Sequence, residues 1–145
     1  MTQSVELRPA EVDDIGLLAR ADFRLADDLR HRRHISDLLG AGLSWVAVRD
    51  GAPLGFAVVT RHFFGFPFVD LLFVGEAHRR GGVGAALMAR CERAHDSDRI
   101  FTSTNESNTP MRALLVKAGW RPAGIVHYLD PGDPELMFVR LRPRA

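Results

Sequence analysis

The feature that most constrains the fold of this chain is an apolar segment at residues 68–74, which runs through a short polar loop into a helical repeat beginning near Gly81. The segment is apolar at every position except Asp70, as is typical of a strand covered on both faces in the middle of a sheet. In the repeat, apolar residues at spacings of four, four and three mark one buried helix face: Val83, Leu87, Cys91 and Ala94. A buried strand that leads through glycines into a helix predicts an α/β domain with a central sheet.

The patterns on either side of this unit predict further elements in the order β-α-α-β-β-β-α-β-α-β-β. Asp50-Gly51 is typical of a hairpin turn, and Thr109-Pro110 is typical of a helix start, with Thr109 as the N-cap. The predicted strands cover residues 5–8, 45–49, 54–63, 68–74, 100–104, 121–128 and 135–141, and residues 64–67 form a turn. The first predicted helix follows Pro9, and the other three cover residues near 34–39, 81–95 and 109–118.

Composition limits the class of protein. The 145 residues are 46% hydrophobic and 26% charged, which is ordinary for a globular protein, and we expect one domain over residues 1–145. A net charge of +1 is too balanced for a large nucleic-acid surface, and no apolar run approaches the ~20 residues of a membrane helix. The single cysteine, Cys91, allows no internal disulfide. We therefore expect a cytoplasmic protein that binds neither nucleic acid nor a membrane.

The loop before the glycine-rich helix has the properties of an anion site. Gly82 and Gly84 have no Cβ, so a ligand can approach the backbone, and the first N–H groups of a helix point outward at the positive end of its dipole. Arg79 and Arg80 add full positive charges. A pyrophosphate would accept charge-assisted hydrogen bonds worth about 1.5–3 kcal/mol each. The sequence therefore predicts a phosphate-binding loop at residues 79–84.

Two common phosphate-binding motifs fit this loop poorly. A P-loop needs a lysine directly after its second glycine, whereas the only lysine is Lys117. A dinucleotide fingerprint needs Gly or Ala at its sixth position, which is Leu87 when counted from Gly82. The spacing of Arg79, Gly82 and Gly84 instead resembles the Gln/Arg-x-x-Gly-x-Gly/Ala motif of the GNAT superfamily of acyl-CoA-dependent N-acyltransferases.

A second motif extends the resemblance. Asn108, Leu114, Lys117, Gly119 and Trp120 stand at the spacing of the family's Asn-x-x-x-x-x-Leu-Tyr-x-Lys-x-Gly-Phe, with tryptophan in place of phenylalanine. The resemblance covers most of the chain. It implies the α/β GNAT fold, a mixed central sheet of about seven strands in the order β1-α1-α2-β2-β3-β4-α3-β5-α4-β6-β7 with the fourth and fifth strands splayed apart.

The resemblance also implies acetyl-CoA as co-substrate, lying where the fourth and fifth strands separate, with no metal. Backbone groups of Leu72 and Val74 are expected to pair with the pantetheine arm, with Phe73 between them, and the Leu72 N–H is expected to donate to the oxyanion. Asn105 and Asn108 are expected to be further cofactor contacts. The residues expected to hold the pyrophosphate are Arg79, Arg80, Gly81, Gly82, Val83 and Gly84.

Acetyl transfer to an amine needs a base, because an alkyl amine with a pKa of about 10 is mostly protonated at neutral pH. Asp70 is the candidate base, and the alternative is a structural carboxylate paired with an arginine. His62 is either a proton relay or a surface histidine. Many members of the family that this chain resembles carry a tyrosine that acts as general acid at the position of Leu115. Tyr128, predicted on the penultimate strand, is therefore the candidate proton donor for the leaving thiolate, with water as the alternative.

Other functions and sites stay open from sequence. The acceptor is expected to be a primary amine of a small molecule or peptide. A non-catalytic acyl-CoA-binding module and another nucleotide- or phosphate-binding domain are the rival functions. His31 and His34 are expected to be solvated. The aspartates near residues 130–133 either attract a cationic acceptor or serve the turn. The phenylalanines at residues 63–68 are expected to pack mostly in the core, and the sequence also allows a homodimer surface there.

Overall fold

The computed structural model describes residues 4–21 and 43–143. Its strands are β1 (Glu6–Pro9), β2 (Leu43–Arg49), β3 (Ala52–Phe63), β4 (Phe66–Val74), β5 (Arg99–Asn105), β6 (Arg121–Val126) and β7 (Glu135–Leu141). Its helices are α1 (Val12–Ala21), α2 (Val83–Arg93) and α3 (Thr109–Lys117), and a 3-10 turn covers Glu76–His78. The helix predicted near residues 34–39, and His31 and His34 with it, lie outside the described residues.

The seven strands form one sheet in the order β1-β2-β3-β4-β5-β7-β6. All neighbours pair antiparallel except β4 and β5, which are parallel. The mixed sheet is as the resemblance implied, and the central position of β4 is as the apolar pattern of residues 68–74 predicted. Among the described residues, no helix has the length and apolar character needed to cross a membrane.

Left-handed residues set the two tight turns of the β2-β3-β4 meander. Asp50 and Gly51 have φ values of 52° and 77°, which suit the predicted two-residue hairpin turn. Phe64 and Gly65 repeat this conformation with φ values of 53° and 81°. The turn is therefore shorter than the predicted residues 64–67, and β4 begins at Phe66 rather than Phe68.

Helices pack on both faces of the sheet. One face is covered by α2 and α3, with Val83, Leu87, Cys91 and Leu115 buried against it. The opposite face is covered by α1, with Ile15 and Leu18 packed against a cluster from β2 and β3: Val46, Val48, Phe56 and Val58. We call these the α2/α3 face and the α1 face.

A β-bulge interrupts β4 at Asp70. Val69 pairs with Val59 and Leu71 pairs with Val58, so Asp70 is an extra residue with no opposite number on β3. The bulge shifts the alternation of side chains along the strand. Val69, Leu72 and Val74 pack on the α2/α3 face, whereas Leu71 and Phe73 pack on the α1 face.

The aromatic residues around the β3–β4 turn divide between packing and exposure. Phe63 stacks on Phe68 and on Phe101 of β5 with ring centroids 5.0 Å apart in each pair. Phe64 and Phe66, by contrast, are 86% and 36% exposed, so the expected core packing is wrong for these two residues. A homodimer surface there stays a prediction.

One ion pair ties β1 to α1. Arg8 donates to both carboxylate oxygens of Asp14 at 2.8 and 2.9 Å, and the Glu11 N–H donates to the same carboxylate at 2.8 Å. The Asp14 side chain is buried, whereas the Arg8 side chain is 36% exposed, so only the carboxylate is shielded from water. The hydrogen bonds from Arg8 lower the pKa of Asp14, against the opposing effect of burial.

We expect Asp14→Asn to reduce the free energy of unfolding by about 2 kcal/mol at neutral pH, since hydrogen bonds to a charged group are lost. A carboxyl whose pKa is lower in the folded state stabilises the protein above its unfolded value of about 3.9, and this stabilisation is lost as the pH falls through the folded value. Urea unfolding below pH ~5 should therefore show a steeper loss of stability for the wild type than for Asp14→Asn. Asp13→Asn, a change at an exposed residue in the same turn, is the control. Parallel stability curves for wild type and Asp14→Asn would contradict the assignment.

Candidate functional site

The predicted anion loop lies at the carboxyl end of β4, where it leads into α2. Gly82 is the N-cap of α2 and has φ 84°, which is why the helix begins at Val83 and not at Gly81. The first hydrogen bond of the helix joins the Ala86 N–H to the Gly82 carbonyl at 3.0 Å. Within the described chain, the N–H groups of residues 83–85 therefore have no backbone acceptor, and they form the positive end of the α2 dipole.

Gly82 and Gly84 are glycines for different physical reasons. A Cβ on Gly82 would meet no atom within 4 Å, so its position faces open space. A Cβ on Gly84 would lie 3.0 Å from Leu114 Cδ1 and 3.6 Å from Val74 Cγ2. Gly84 therefore allows close packing of α2 against α3 and β4, whereas the sequence had suggested that both glycines make room for a ligand.

The two arginines of the loop are exposed beside the free amides. Arg79 Nε donates to the Val74 carbonyl at 3.4 Å, which holds the arginine at the end of β4. Arg80 has φ 65°, so the chain turns sharply just before Gly81 and Gly82. Two exposed arginines and the free backbone N–H groups thus belong to one short loop, as an anion site requires.

The strands β4 and β5 separate directly in front of this loop. Their pairing is limited to Phe68 with Phe101 and Val69 with Thr102. Thr102 Oγ1 donates to the Val69 carbonyl at 3.0 Å and closes the end of the paired region. In the described chain, the pairing of β4 with β5 ends at Val69, so the edge of β4 that contains Leu72 and Val74 lines an open wedge.

Asp70 lies at the start of this wedge and is partly buried. Its Oδ2 accepts a hydrogen bond from Thr60 Oγ1 of β3. Thr60 follows Phe56 and Val58 at intervals of two residues, so all three side chains lie on the α1 face of β3. The contact with Thr60 therefore places the Asp70 side chain on the same face. Among the described residues, the side-chain partner of Asp70 is this hydroxyl, and no arginine is paired with it. His62, the other candidate for proton transfer, has an exposed side chain.

The two asparagines expected to contact the cofactor have structural partners. Asn108 is the N-cap of α3, where its Oδ1 accepts from the Met111 N–H at 3.2 Å. Thr109 is therefore not the N-cap, because the asparagine one residue earlier caps the helix. Asn105 Nδ2 donates to Asp130 Oδ2 at 2.8 Å, and Asp133 accepts from Ser107. These two aspartates thus hold the β6–β7 loop against the end of β5.

The family of the chain follows from its sequence profile. The acetyltransferase (GNAT) family profile matches residues 12–120, which is most of the chain. The chain belongs to the GNAT acetyltransferase family. This GNAT protein is accordingly an acyltransferase, as the motifs around Gly82 and Asn108 had implied. No curated protein gives a significant match.

Solved structures share the GNAT fold of this chain. An acetyltransferase of the GNAT family from Bacillus cereus ATCC 10987 is 28% identical, with a TM-score of 0.85 over 97% of this chain and 99% of that one. A GNAT family acetyltransferase from Elizabethkingia anophelis, solved with acetyl-CoA bound, is 17% identical, with a TM-score of 0.76 over 97% and 99%. The IAA acetyltransferase from Bacillus cereus ATCC 14579 is 20% identical, with a TM-score of 0.75 over 95% and 99%. The last two likenesses show the fold alone.

The GNAT tyrosine position and the proposed substitute for it are both unlike a catalytic acid. Leu115 has no exposed surface and packs in the core of the α2/α3 face. Tyr128 lies beyond β6, which ends at Val126, so its predicted place on a strand is wrong. Its side chain is 99% exposed, and its φ of 74° is a left-handed conformation that a strand does not adopt.

Thr60 is a part of this site that the sequence did not indicate. It is 2% exposed, in a strand whose other buried residues are apolar, and a buried hydroxyl needs a partner. The sequence carries a faint signal, a threonine at the end of a long apolar strand. Among the described residues, no group of three or more His, Cys, Asp or Glu side chains is placed to hold a metal ion.

Cys91 is expected to stay unreactive, which matters for any assay of thiol release. Burial is the main cause that raises the pKa of its thiol to about 12, and the charge of Glu92 adds to it. Ellman's reagent should therefore label the native protein hardly at all near neutral pH and label one thiol per chain after unfolding in guanidinium chloride. Rapid labelling of the native protein would show that Cys91 is accessible.

Proposed function

We propose that this GNAT protein transfers the acetyl group of acetyl-CoA directly to a primary amine of a small molecule or peptide. The observation that carries the proposal is the wedge between β4 and β5, which opens toward the free N–H groups at the start of α2. An extended thioester with a pyrophosphate at its far end matches a strand edge followed by an anion loop. The relative from Elizabethkingia anophelis, with acetyl-CoA bound, supports the same co-substrate.

The residues present fit acetyl-CoA. Backbone groups of Leu72 and Val74 on the β5-facing edge, with Phe73 between them, are the proposed partners of the pantetheine amides, and the Leu72 N–H is the proposed donor to the thioester carbonyl oxygen. Asn108 Nδ2 remains available as a donor, because only its Oδ1 is used by the helix cap. Asn105 donates to Asp130 and so contributes to the proposed site chiefly by fixing the loop. The proposed pyrophosphate contacts are Arg79, Arg80, Gly81, Gly82, Val83 and Gly84.

Acetyl-CoA supplies an activated acetyl group and a thiolate that leaves readily. The amine nitrogen forms a bond to the acetyl carbon, the carbon–sulfur bond breaks, and the electron pair goes to sulfur. Asp70 is the proposed acceptor of the amine proton, because it is the acid on the wedge and its Oδ1 accepts no hydrogen bond from the described residues. A thiol has a pKa of about 8.5, so the thiolate needs little help, and we propose water as its proton donor.

Tyr128→Phe is expected to lower kcat by less than about threefold, because an exposed phenol is a poor candidate for a positioned acid. The measurement is steady-state thiol release with acetyl-CoA and the best acceptor amine. A fall of tenfold or more would restore the tyrosine to the mechanism and would imply that its loop closes over the bound thioester.

The proposal is tested by acetyl-CoA-dependent thiol release with four amines: butylamine, spermidine, kanamycin and an alanyl tripeptide. Release that depends on both an amine and acetyl-CoA supports the enzyme. Tight CoA binding without turnover on any amine would favour a non-catalytic acyl-CoA-binding module. Calorimetric binding of ATP or NAD that is tighter than binding of CoA would favour a different nucleotide-binding domain.

A further inference from the structure

A buried hydroxyl on β3 is directed at Asp70. Thr60 is 2% exposed, and its Oγ1 donates to Asp70 Oδ2. The backbone N–H of His62 donates to the same Oγ1 at 3.3 Å. Because the hydroxyl accepts from His62, its single hydrogen is directed toward the carboxylate. The direction of the hydrogen bond is therefore set by the backbone.

Two bulges bring these three groups together. The bulge in β4 makes Asp70 an extra residue and presents it on the α1 face, next to Thr60. On β3, the pairing passes from Thr60 with Phe68 directly to Phe63 with Phe66, so that two residues of β3 stand opposite one residue of β4. That one residue is Pro67, which has no N–H to donate. The irregular ladder leaves the His62 N–H to donate to Thr60 instead.

The arrangement restrains one oxygen of Asp70 and leaves the other available. In a β-strand the β-branched threonine has few rotamers, so its hydroxyl is held rigidly by the backbone. A hydroxyl hydrogen bond to a carboxylate is charge-assisted and is among the stronger bonds of a protein. With Oδ2 held by Thr60, rotation of the carboxylate is restricted, and Oδ1 keeps one orientation.

We propose that Thr60 is a positioning residue that holds the Asp70 carboxylate so that Oδ1 receives the proton of the acceptor amine. The inference rests on the proposed function, in which Asp70 is the base. Thr60 itself contacts no substrate. Its effect is on the alignment of the base, and misalignment of a reacting group by a fraction of an ångström reduces the rate of the chemical step more than the binding of the co-substrate.

The test is a set of four variants assayed for thiol release with acetyl-CoA and whichever of the four amines gives the highest wild-type rate. Thr60→Val has nearly the same shape without the hydroxyl, and Thr60→Ser keeps the hydroxyl without the methyl group. The other two are Asp70→Asn and the double variant Thr60→Val/Asp70→Asn. Circular dichroism and thermal unfolding check the fold, and Thr60→Ala replaces Thr60→Val if the valine variant does not fold.

We expect Thr60→Val to lower kcat by about tenfold, with the KM for acetyl-CoA changed by less than about twofold, and Thr60→Ser to recover most of the loss. In the Asp70→Asn background, Thr60→Val should lower kcat no further, because the group through which it acts is already gone. A purely structural role would instead lower the thermal stability of Thr60→Val. It would lower kcat by the same factor in the wild-type and Asp70→Asn backgrounds, and serine would not restore it.

The inference is overturned if Thr60→Val keeps the wild-type kcat, if serine is no better than valine, or if Thr60→Val still slows the Asp70→Asn enzyme by tenfold. Its failure is distinct from failure of the proposed function. If none of the four amines supports release, the proposed function fails, and if Asp70→Asn keeps the wild-type kcat, Asp70 is not the base; in either case the role of Thr60 falls with it. If Asp70→Asn is slow and Thr60→Val is not, only the positioning role is wrong.

Discussion

Asp70→Asn is expected to lower kcat by at least about 100-fold, the range in which a positioned general base contributes to a reaction. Asparagine keeps the shape of the side chain and can still accept the hydrogen bond from Thr60, but it cannot take up the amine proton. The KM for acetyl-CoA should change little, because the pyrophosphate loop and the edge of β4 are untouched. Steady-state kinetics with acetyl-CoA and the best amine measure both constants.

The control for this experiment is Asp96→Asn. Asp96 is a carboxylate outside the wedge, with a side chain 94% exposed and paired with Arg61 at 3.0 Å. Its loss should leave kcat unchanged, because an exposed ion pair contributes little and takes no part in the reaction. If Asp70→Asn behaved like Asp96→Asn, a different group or water would have to accept the amine proton, and Asp70 would be a structural carboxylate.

Gly82→Leu is expected to raise the Kd for CoA by about 100-fold, which corresponds to the loss of about 3 kcal/mol of hydrogen bonding to the pyrophosphate. The leucine side chain would enter the open space next to Gly82, where no protein atom lies within 4 Å of an added Cβ. This is the space in which we place the pyrophosphate. Isothermal titration calorimetry with CoA measures the change without the need for an acceptor.

Gly65→Leu provides a matched control for backbone strain. Gly65 has φ 81°, against 84° for Gly82, and it also faces open space, but it lies in the β3–β4 turn. Both substitutions force a leucine into the left-handed region, so both should reduce stability by a similar amount. Only the change at Gly82 should weaken CoA binding. Equal affinities for the two variants would refute the assigned position of the pyrophosphate.

The sequence predicted well those features that depend on periodicity and turn chemistry. The continuous apolarity of residues 68–74 placed β4 at the centre of the sheet, and Asp50-Gly51 placed the first hairpin. Asp70 was identifiable as a candidate because an acid is rare on such a strand. These signals depend on one residue type in one local environment, so they need no tertiary information.

Other features depend on contacts that sequence does not contain. Gly84 looked like part of a ligand site, yet its neighbour is Leu114, some thirty positions along the chain. Tyr128 looked like a strand residue because nothing in its sequence neighbourhood indicates a left-handed φ, which is uncommon for a bulky side chain. Thr60 was passed over since its significance depends on the bulge that brings Asp70 beside it. Bulges arise from the fit between two strands and leave little trace in either one.

The bulge in β4 separates two tasks along one short strand. Before it, successive side chains follow a single alternation. Asp70, at the bulge, shares the α1 face with Leu71 and Phe73, whereas Leu72 and Val74 pack on the α2/α3 face. A substitution on one face therefore leaves the side chains of the other face where they are. Insertion or deletion of one residue at the bulge would turn the side chains that follow it to the opposite face of the sheet, whereas a substitution would not.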